Sequence, residues 1–206
     1  MKSQYLQNPP VRFRTKTAAL YTWCAGLVAL SVLLALAYSG GPLALLKQGW
    51  GALLIAYAIW YLLGRSDVLV DQDAITVRNP FVNHTVNYAA LIDISTRYHL
   101  TLVTATKRYQ AFGVPASGML ASLTAHRQDL RNLPAITYAV GSAVRTSDLP
   151  NSAAGALALM IRGYWQEQVE DGALDGVEPV QISALDLRGI LTCGALVFLT
   201  VVGLFL

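Results

Sequence analysis

Acidic residues are missing from the first third of the chain: no Asp or Glu precedes Asp67, whereas Lys2, Arg12, Arg14, Lys16 and Lys47 all do. Charge is scarce throughout, at 13% of 206 residues, against about 25% in ordinary soluble domains. Apolar residues fill the difference at 54%, which points to a membrane. The formal net charge of +3 sums a basic, apolar first third and a mildly acidic middle. It forms no basic stripe interleaved with aromatics, so no nucleic-acid partner is expected.

Cysteine is nearly absent. Cys24 and Cys193 both lie inside apolar runs, with no CxxC and no His at ligand spacing. This excludes a disulfide framework and leaves two small apolar residues of membrane helices. Histidine is equally sparse, limited to His84, His99 and His126. His84 and His99 could meet across strands, but no Cys or clear carboxylate partner accompanies them, so no metal is expected. No phosphate loop or nucleophile elbow occurs. The chain therefore reads as a non-enzyme with no cofactor and no small-molecule substrate.

What is abundant is uninterrupted apolar sequence. After a basic N-terminus (1–17) containing Pro9 and Pro10, residues 18–38 read AALYTWCAGLVALSVLLALAY without a charge. At about 1.5 Å per residue such a helix crosses a hydrocarbon core of about 30 Å. Ala35-Leu36-Ala37 resembles the cleavage site of a secretory signal, but the run exceeds the roughly 7 to 15 residues of a signal core. Ser39-Gly40-Gly41-Pro42 is a turn cluster, and a second span covers 43–64. There Lys47 can carry its ammonium out to the interface, and Trp50, Tyr57, Trp60 and Tyr61 serve as interfacial anchors or helix contacts. Arg188 precedes a third uncharged run, so 188–206 reads as a third transmembrane helix. The N-terminal charges place the amino end and the intervening domain in the cytoplasm and the carboxyl end outside. On that side the sequon Asn83-His84-Thr85 has no meaning.

Residues 65–170 hold a ladder of short alternating strands. Val68-Leu69-Val70 leads into a turn at Gln72-Asp73, and Ile75 and Val77 then alternate with Thr76 and Arg78. Asn79-Pro80 breaks the ladder. Strands over 82–88, 91–97, 99–105 and 108–114 follow. In them Ile92 and Ile94 should point one way and Asp93 and Ser95 the other, and Tyr109, Ala111 and Gly113 should share a face. Such spacing gives an antiparallel β-sandwich or partly open barrel of about 6 to 7 strands, with 135–144 able to add one and 119–131 a short helix or loop. Asn151 or Ser152 can cap a helix over 152–170. Its Leu157, Met160, Ile161, Tyr164 and Trp165 share one side, with Arg162, Glu167 and Glu170 largely off it, so it should plug the open end. Residues 171–187 read as a Gly-rich acidic linker.

With these elements laid out, the chain resembles the pleckstrin-homology (PH) domain membrane proteins of actinobacteria, of the low molecular weight protein antigen 6 type. The resemblance rests on DAITVRNPFVNHTVNYAALIDISTR (73–97) and HLTLVTATKRYQAFGVP (99–115), with Ala158 to Trp165 similar to a later family helix and Gly172-Ala173-Leu174-Asp175 to the segment after it. It implies an α+β PH-like domain of two antiparallel sheets closed by a C-terminal helix, carried by an α-helical membrane anchor. Phosphoinositide-binding PH domains hold phosphates with a basic first hairpin. Here that hairpin is Val70-Asp71-Gln72-Asp73, and its carboxylates would repel an anionic headgroup.

Arg97, Lys107 and Arg108 cluster near the turns of the later strands. Facing a bilayer, each could add about 1 kcal/mol toward anionic lipid. The plainer alternative is a solvated sheet edge on which Lys blocks edge-to-edge pairing. Tyr98 and Phe112 could be edge packing or part of a partner groove. The expected partners are the lipid bilayer and another membrane protein, bound by a scaffolding module. The alternative is an accessory subunit of a larger membrane complex, such as a respiratory assembly, engaged through its helices. A membrane enzyme would need ionisable residues within the spans, where Lys47 stands alone.

Overall fold

Alternation of the kind seen in Ile75-Thr76-Val77 commits a segment to a strand with one dry face, and the computed structural model bears this out. It describes residues 3–6, 8–115 and 153–206. The expectations for 119–131, 135–144, His126 and the cap at Asn151 or Ser152 lie outside the described residues. The chain divides into two units, Met1–Arg14 with Asp67–Arg78 and His84–Ser183, and Thr15–Ser66 with Asn79–Asn83 and Ala184–Leu206.

The first unit holds most of two antiparallel sheets. One has the order β1-β2-β3-β4-β8 and comprises β1 (Val11–Phe13), β2 (Asp67–Val70), β3 (Ala74–Arg78), β4 (Val82–Asn87) and β8 (Gln181–Leu185). The other has the order β5-β6-β7, from β5 (Leu91–Ser95), β6 (His99–Thr104) and β7 (Arg108–Pro115). Val68, Val70, Ile75, Val77 and Val86 of the first sheet form a core with Ile94, Leu100, Leu102, Tyr109 and Ala111 of the second. The helix α2 (Ala153–Glu170) adds Leu157, Ala158 and Ile161. Each of the larger side chains contributes about 1.5–3 kcal/mol by leaving water.

Several particulars depart from the sequence reading. The basic N-terminus supplies β1, paired antiparallel with β2 as Val11↔Val70 and Phe13↔Val68. The stretch expected as a linker, 171–187, contains β8. In β5 the pairing shifts register between Leu91 and Asp93. This bulge leaves Ile92 and Asp93 both exposed while Leu91 and Ile94 are buried, so Ile92 does not share a face with Ile94. Arg162, expected off the apolar side of α2, is only 6% exposed and donates to the Ile94 carbonyl. Its guanidinium is long enough to reach a backbone acceptor from within the core face, which the helical period alone could not show.

In the second unit, α1 (Lys16–Ile59) is helical except at Gly41, where φ is 64° and ψ is −160°. That conformation is open to Gly at little cost, and Pro42 then starts a second limb. A Cβ at Gly49 would lie 3.1 Å from Leu33 Cδ2, so the limbs run antiparallel side by side. The second limb continues through a wider π turn, Trp60–Gly64. The final helix α3 (Leu187–Phe205) packs along this limb with Gly189 against Tyr61, the Thr200 methyl beside Gly51, and Gly203 on the Lys47 carbonyl. Small residues let helix backbones approach in this way where lipid supplies no hydrophobic drive between them. Among the described residues two helices, Thr17–Gly64 and Leu187–Phe205, are long and apolar enough to cross a membrane. The residues read as separate first and second spans are the two limbs of the first.

Candidate binding surface

The outward face of the β5-β6-β7 sheet follows from the period of two. In β6, Leu100 and Leu102 point to the core, so His99, Thr101 and Val103 point away from it. Register then assembles rows across the three strands. Ser95, Thr101 and Gln110 stand side by side, and Asp93, Val103 and Arg108 form the next row. These residues, with Arg97, Tyr98 and His99, line a groove of about 440 Å³ whose walls are mainly polar. The Arg97 guanidinium lies over the Tyr98 ring at 5.3 Å, and His99 packs against Phe112 with ring centroids 5.7 Å apart. Asp93 turns one carboxylate oxygen back to the Ile94 N–H at 2.8 Å. Among the described residues, neither Arg97 nor Arg108 has an ion-pair partner.

The structure thus separates the three cations read from sequence. Arg97 and Arg108 line the groove from its two ends, whereas Lys107, in the turn after β6 beside Arg108, does not line it. Around Lys107 gathers a different polar cluster. The Gln181 side-chain oxygen accepts from Thr104 Oγ1 at 3.0 Å, Thr106 Oγ1 at 2.9 Å and the Tyr109 hydroxyl at 3.0 Å, tying β8 to the β6–β7 hairpin. His84 stacks on Tyr109 at 4.9 Å and bonds Ser183 Oγ at 2.8 Å. Partial burial, followed by the nearby Lys107 charge, lowers the His84 pKa below its ordinary value. His84 and His99 each have their own aromatic neighbour.

Two charge clusters were not read from the sequence. Asp67 has a fully buried side chain and takes Arg12 Nε on Oδ2, with Arg78 Nη1 at 3.8 Å; its Oδ1 has no partner among the described residues. In the helical unit, Asp186 Oδ2 accepts from Arg65 Nη2 at 3.1 Å and from the Tyr61 hydroxyl at 3.0 Å. Arg65 also reaches the Asn79 carbonyl at 3.1 Å and Asn83 Oδ1 at 3.4 Å. The legible signal was opposite charges placed at the ends of two apolar runs, Arg65 just after one and Asp186 just before the other.

The first hairpin offers no phosphate cradle. Asp71, Gln72 and Asp73 are exposed, and the Asp71 carbonyl accepts the Tyr88 hydroxyl at 2.9 Å. The Gln72 carbonyl accepts Tyr164 Oη at 3.2 Å and Gln168 Nε2 at 3.0 Å, so α2 holds this turn. Among the described residues no three His, Cys, Asp or Glu side chains gather as metal ligands. Between the limbs of α1 lies an almost wholly apolar cleft of about 520 Å³, lined in part by Ala25, Ala29, Ala52 and Ala56. No family of known proteins, no curated protein and no solved structure matches the chain.

Proposed function

We propose that this chain is a non-catalytic membrane protein whose helices cross the bilayer three times and hold a PH-like domain on the cytoplasmic side, where it binds a partner protein or lipid surface. The observation that carries the reading is the pairing of β1 with β2. Strand Val11–Phe13 precedes the α1 hairpin and Asp67–Val70 follows it, so the chain leaves a sheet, makes both limbs and returns to the same sheet. This supports two crossings with the amino end and the β-domain on one side. Helix α3, antiparallel to the second limb, supplies the third. The excess of Lys and Arg before the first span favours the cytoplasm for that side. Two antiparallel sheets, with α2 packed on the β5-β6-β7 sheet, support the PH-like reading and the kinship with actinobacterial PH-domain membrane proteins drawn from 73–97 and 99–115.

The apolar cleft lined by Ala25, Ala29, Ala52 and Ala56 favours a second reading, an accessory subunit engaged through its helices. Site-specific photo-crosslinking in cells separates the two. A photoreactive residue at Tyr98 or Phe112 should trap a partner under the first reading. Trapping from Val28 alone would favour the second, and trapping from none of these positions would reject both. Thr106→Cys, in a background lacking Cys24 and Cys193, should react with an impermeant maleimide only after the cell is opened; labelling of intact cells would overturn the topology.

A further inference from the structure

We infer that the groove on the outer face of β5-β6-β7 is a binding site for a phosphate ester, gripped by Arg97 and Arg108. The inference rests on the reading of this domain as a binding module and names the chemistry of one of its sites. Three independent features converge there. Two guanidiniums, one from the β5–β6 turn and one from the start of β7, line the same groove from its two ends and have no ion-pair partner among the described residues. A guanidinium presents a planar fork of donors that matches phosphate oxygens two at a time, and it gives up water more readily than an ammonium. The row between them, Ser95 beside Thr101 beside Gln110, adds hydroxyl and amide groups that can donate to ester oxygens without adding charge.

The third feature is the apolar rim at one end. Arg97 is already held over Tyr98, which reduces the freedom it would lose on binding, and the His99–Phe112 pair offers a surface for the organic part of an ester. Asp93 lines the groove too, but one of its oxygens is engaged by the Ile94 N–H. It sets a limit on how much negative charge the site accepts. A phosphomonoester could be free in solution or be the headgroup of an anionic lipid; the recognising chemistry is the same.

The full-length chain reconstituted in phosphatidylcholine nanodiscs allows the test. Glycerol 3-phosphate titrated by calorimetry is one arm, and nanodiscs containing phosphatidic acid binding to detergent-solubilised protein are the other. Arg97→Gln and Arg108→Gln should each weaken binding of at least one probe by about tenfold or more, the loss expected for one charge-assisted bidentate contact. Lys107→Gln removes the same charge outside the groove and should change it less than about twofold. Binding of glycerol 3-phosphate assigns the ligand to the soluble esters, and binding of phosphatidic acid alone assigns it to lipid. Equal losses in all three variants, or no binding of either probe by the wild-type chain, would overturn the proposal. In that case photo-crosslinks from Tyr98 or Phe112 would still stand for the binding-module reading by itself.

Discussion

Neutralising Asp186 should unlock the foot of the helical unit, and the cost can be worked from its contacts. The Arg65 and Asp186 side chains are 18% and 14% exposed, so the pair is largely out of water. Asp186→Asn keeps an acceptor for the Tyr61 hydroxyl but removes the charge facing Arg65. The guanidinium is left with the Asn79 carbonyl and Asn83 Oδ1, both neutral. Loss of one hydrogen bond to a charged group corresponds to about 2 kcal/mol. Asp186→Ala also strands the Tyr61 hydroxyl and should cost about 3 kcal/mol, the lower end for breaking a buried pair, because neither partner is fully dehydrated. The double change Arg65→Met with Asp186→Leu should return to within about 1 kcal/mol of the parent, since apolar groups of similar volume replace a buried pair at little cost. Unfolding of the purified protein in mixed micelles, driven by increasing dodecyl sulfate, reads all three. A cost below about 0.5 kcal/mol for Asp186→Asn, the range of exposed pairs, would refute the account of Arg65 and Asp186 as an interlock.

Three further outcomes follow from single contacts. Gly203→Ala should destabilise the helical unit by about 1–3 kcal/mol in the same assay, because its Cβ would meet the Lys47 backbone carbonyl, which cannot step aside as a side chain could. Phe81 has φ of 69° and an edge contact with the Tyr61 ring at 5.4 Å. Phe81→Ala should therefore cost more than Phe81→Gly, by about 1 kcal/mol or more, since alanine keeps the left-handed backbone penalty that glycine escapes. His84 has a folded pKa below its unfolded value of about 6.5. The unfolded chain binds the proton first, so the stability this residue contributes is complete above about 6.5 and is lost as pH falls through the lower folded pKa. His84→Gln should flatten thermal stability across that acid limb; an unchanged profile would place the dependence elsewhere.

Much of the architecture was legible because it rests on local periodicity. Alternation in Ile75 to Val77 and in Leu100 to Leu102 needs no partner to be read, and the six strands between Asp67 and Pro115 fall where the turns Asp71 to Asp73 and Asn79-Pro80 divide them. The strand β8 was hidden because Gln181 to Leu185 stays largely exposed along its length, which erases the alternation that marks a half-buried strand. The bulge at Ile92 was hidden for a related reason: one inserted residue reverses the faces beyond it without altering composition.

By itself the sequence determined the apolar helices, the hairpin break at Gly41-Pro42, the strand-rich middle and the amphipathic helix over 153–170, because each follows from composition and spacing within a few turns of chain. Tertiary structure decided which distant charges meet. Arg12 with Asp67 and Arg65 with Asp186 are 55 and 121 residues apart (67 − 12 and 186 − 65), and no local pattern encodes a pairing across such distances. The division of Arg97, Lys107 and Arg108 has the same origin. Neighbours in sequence, Lys107 and Arg108 part company because a strand begins between them, while Arg108 and the turn residue Arg97 line one groove because the outward face of β5-β6-β7 runs from the row of Arg108 to the β5–β6 turn.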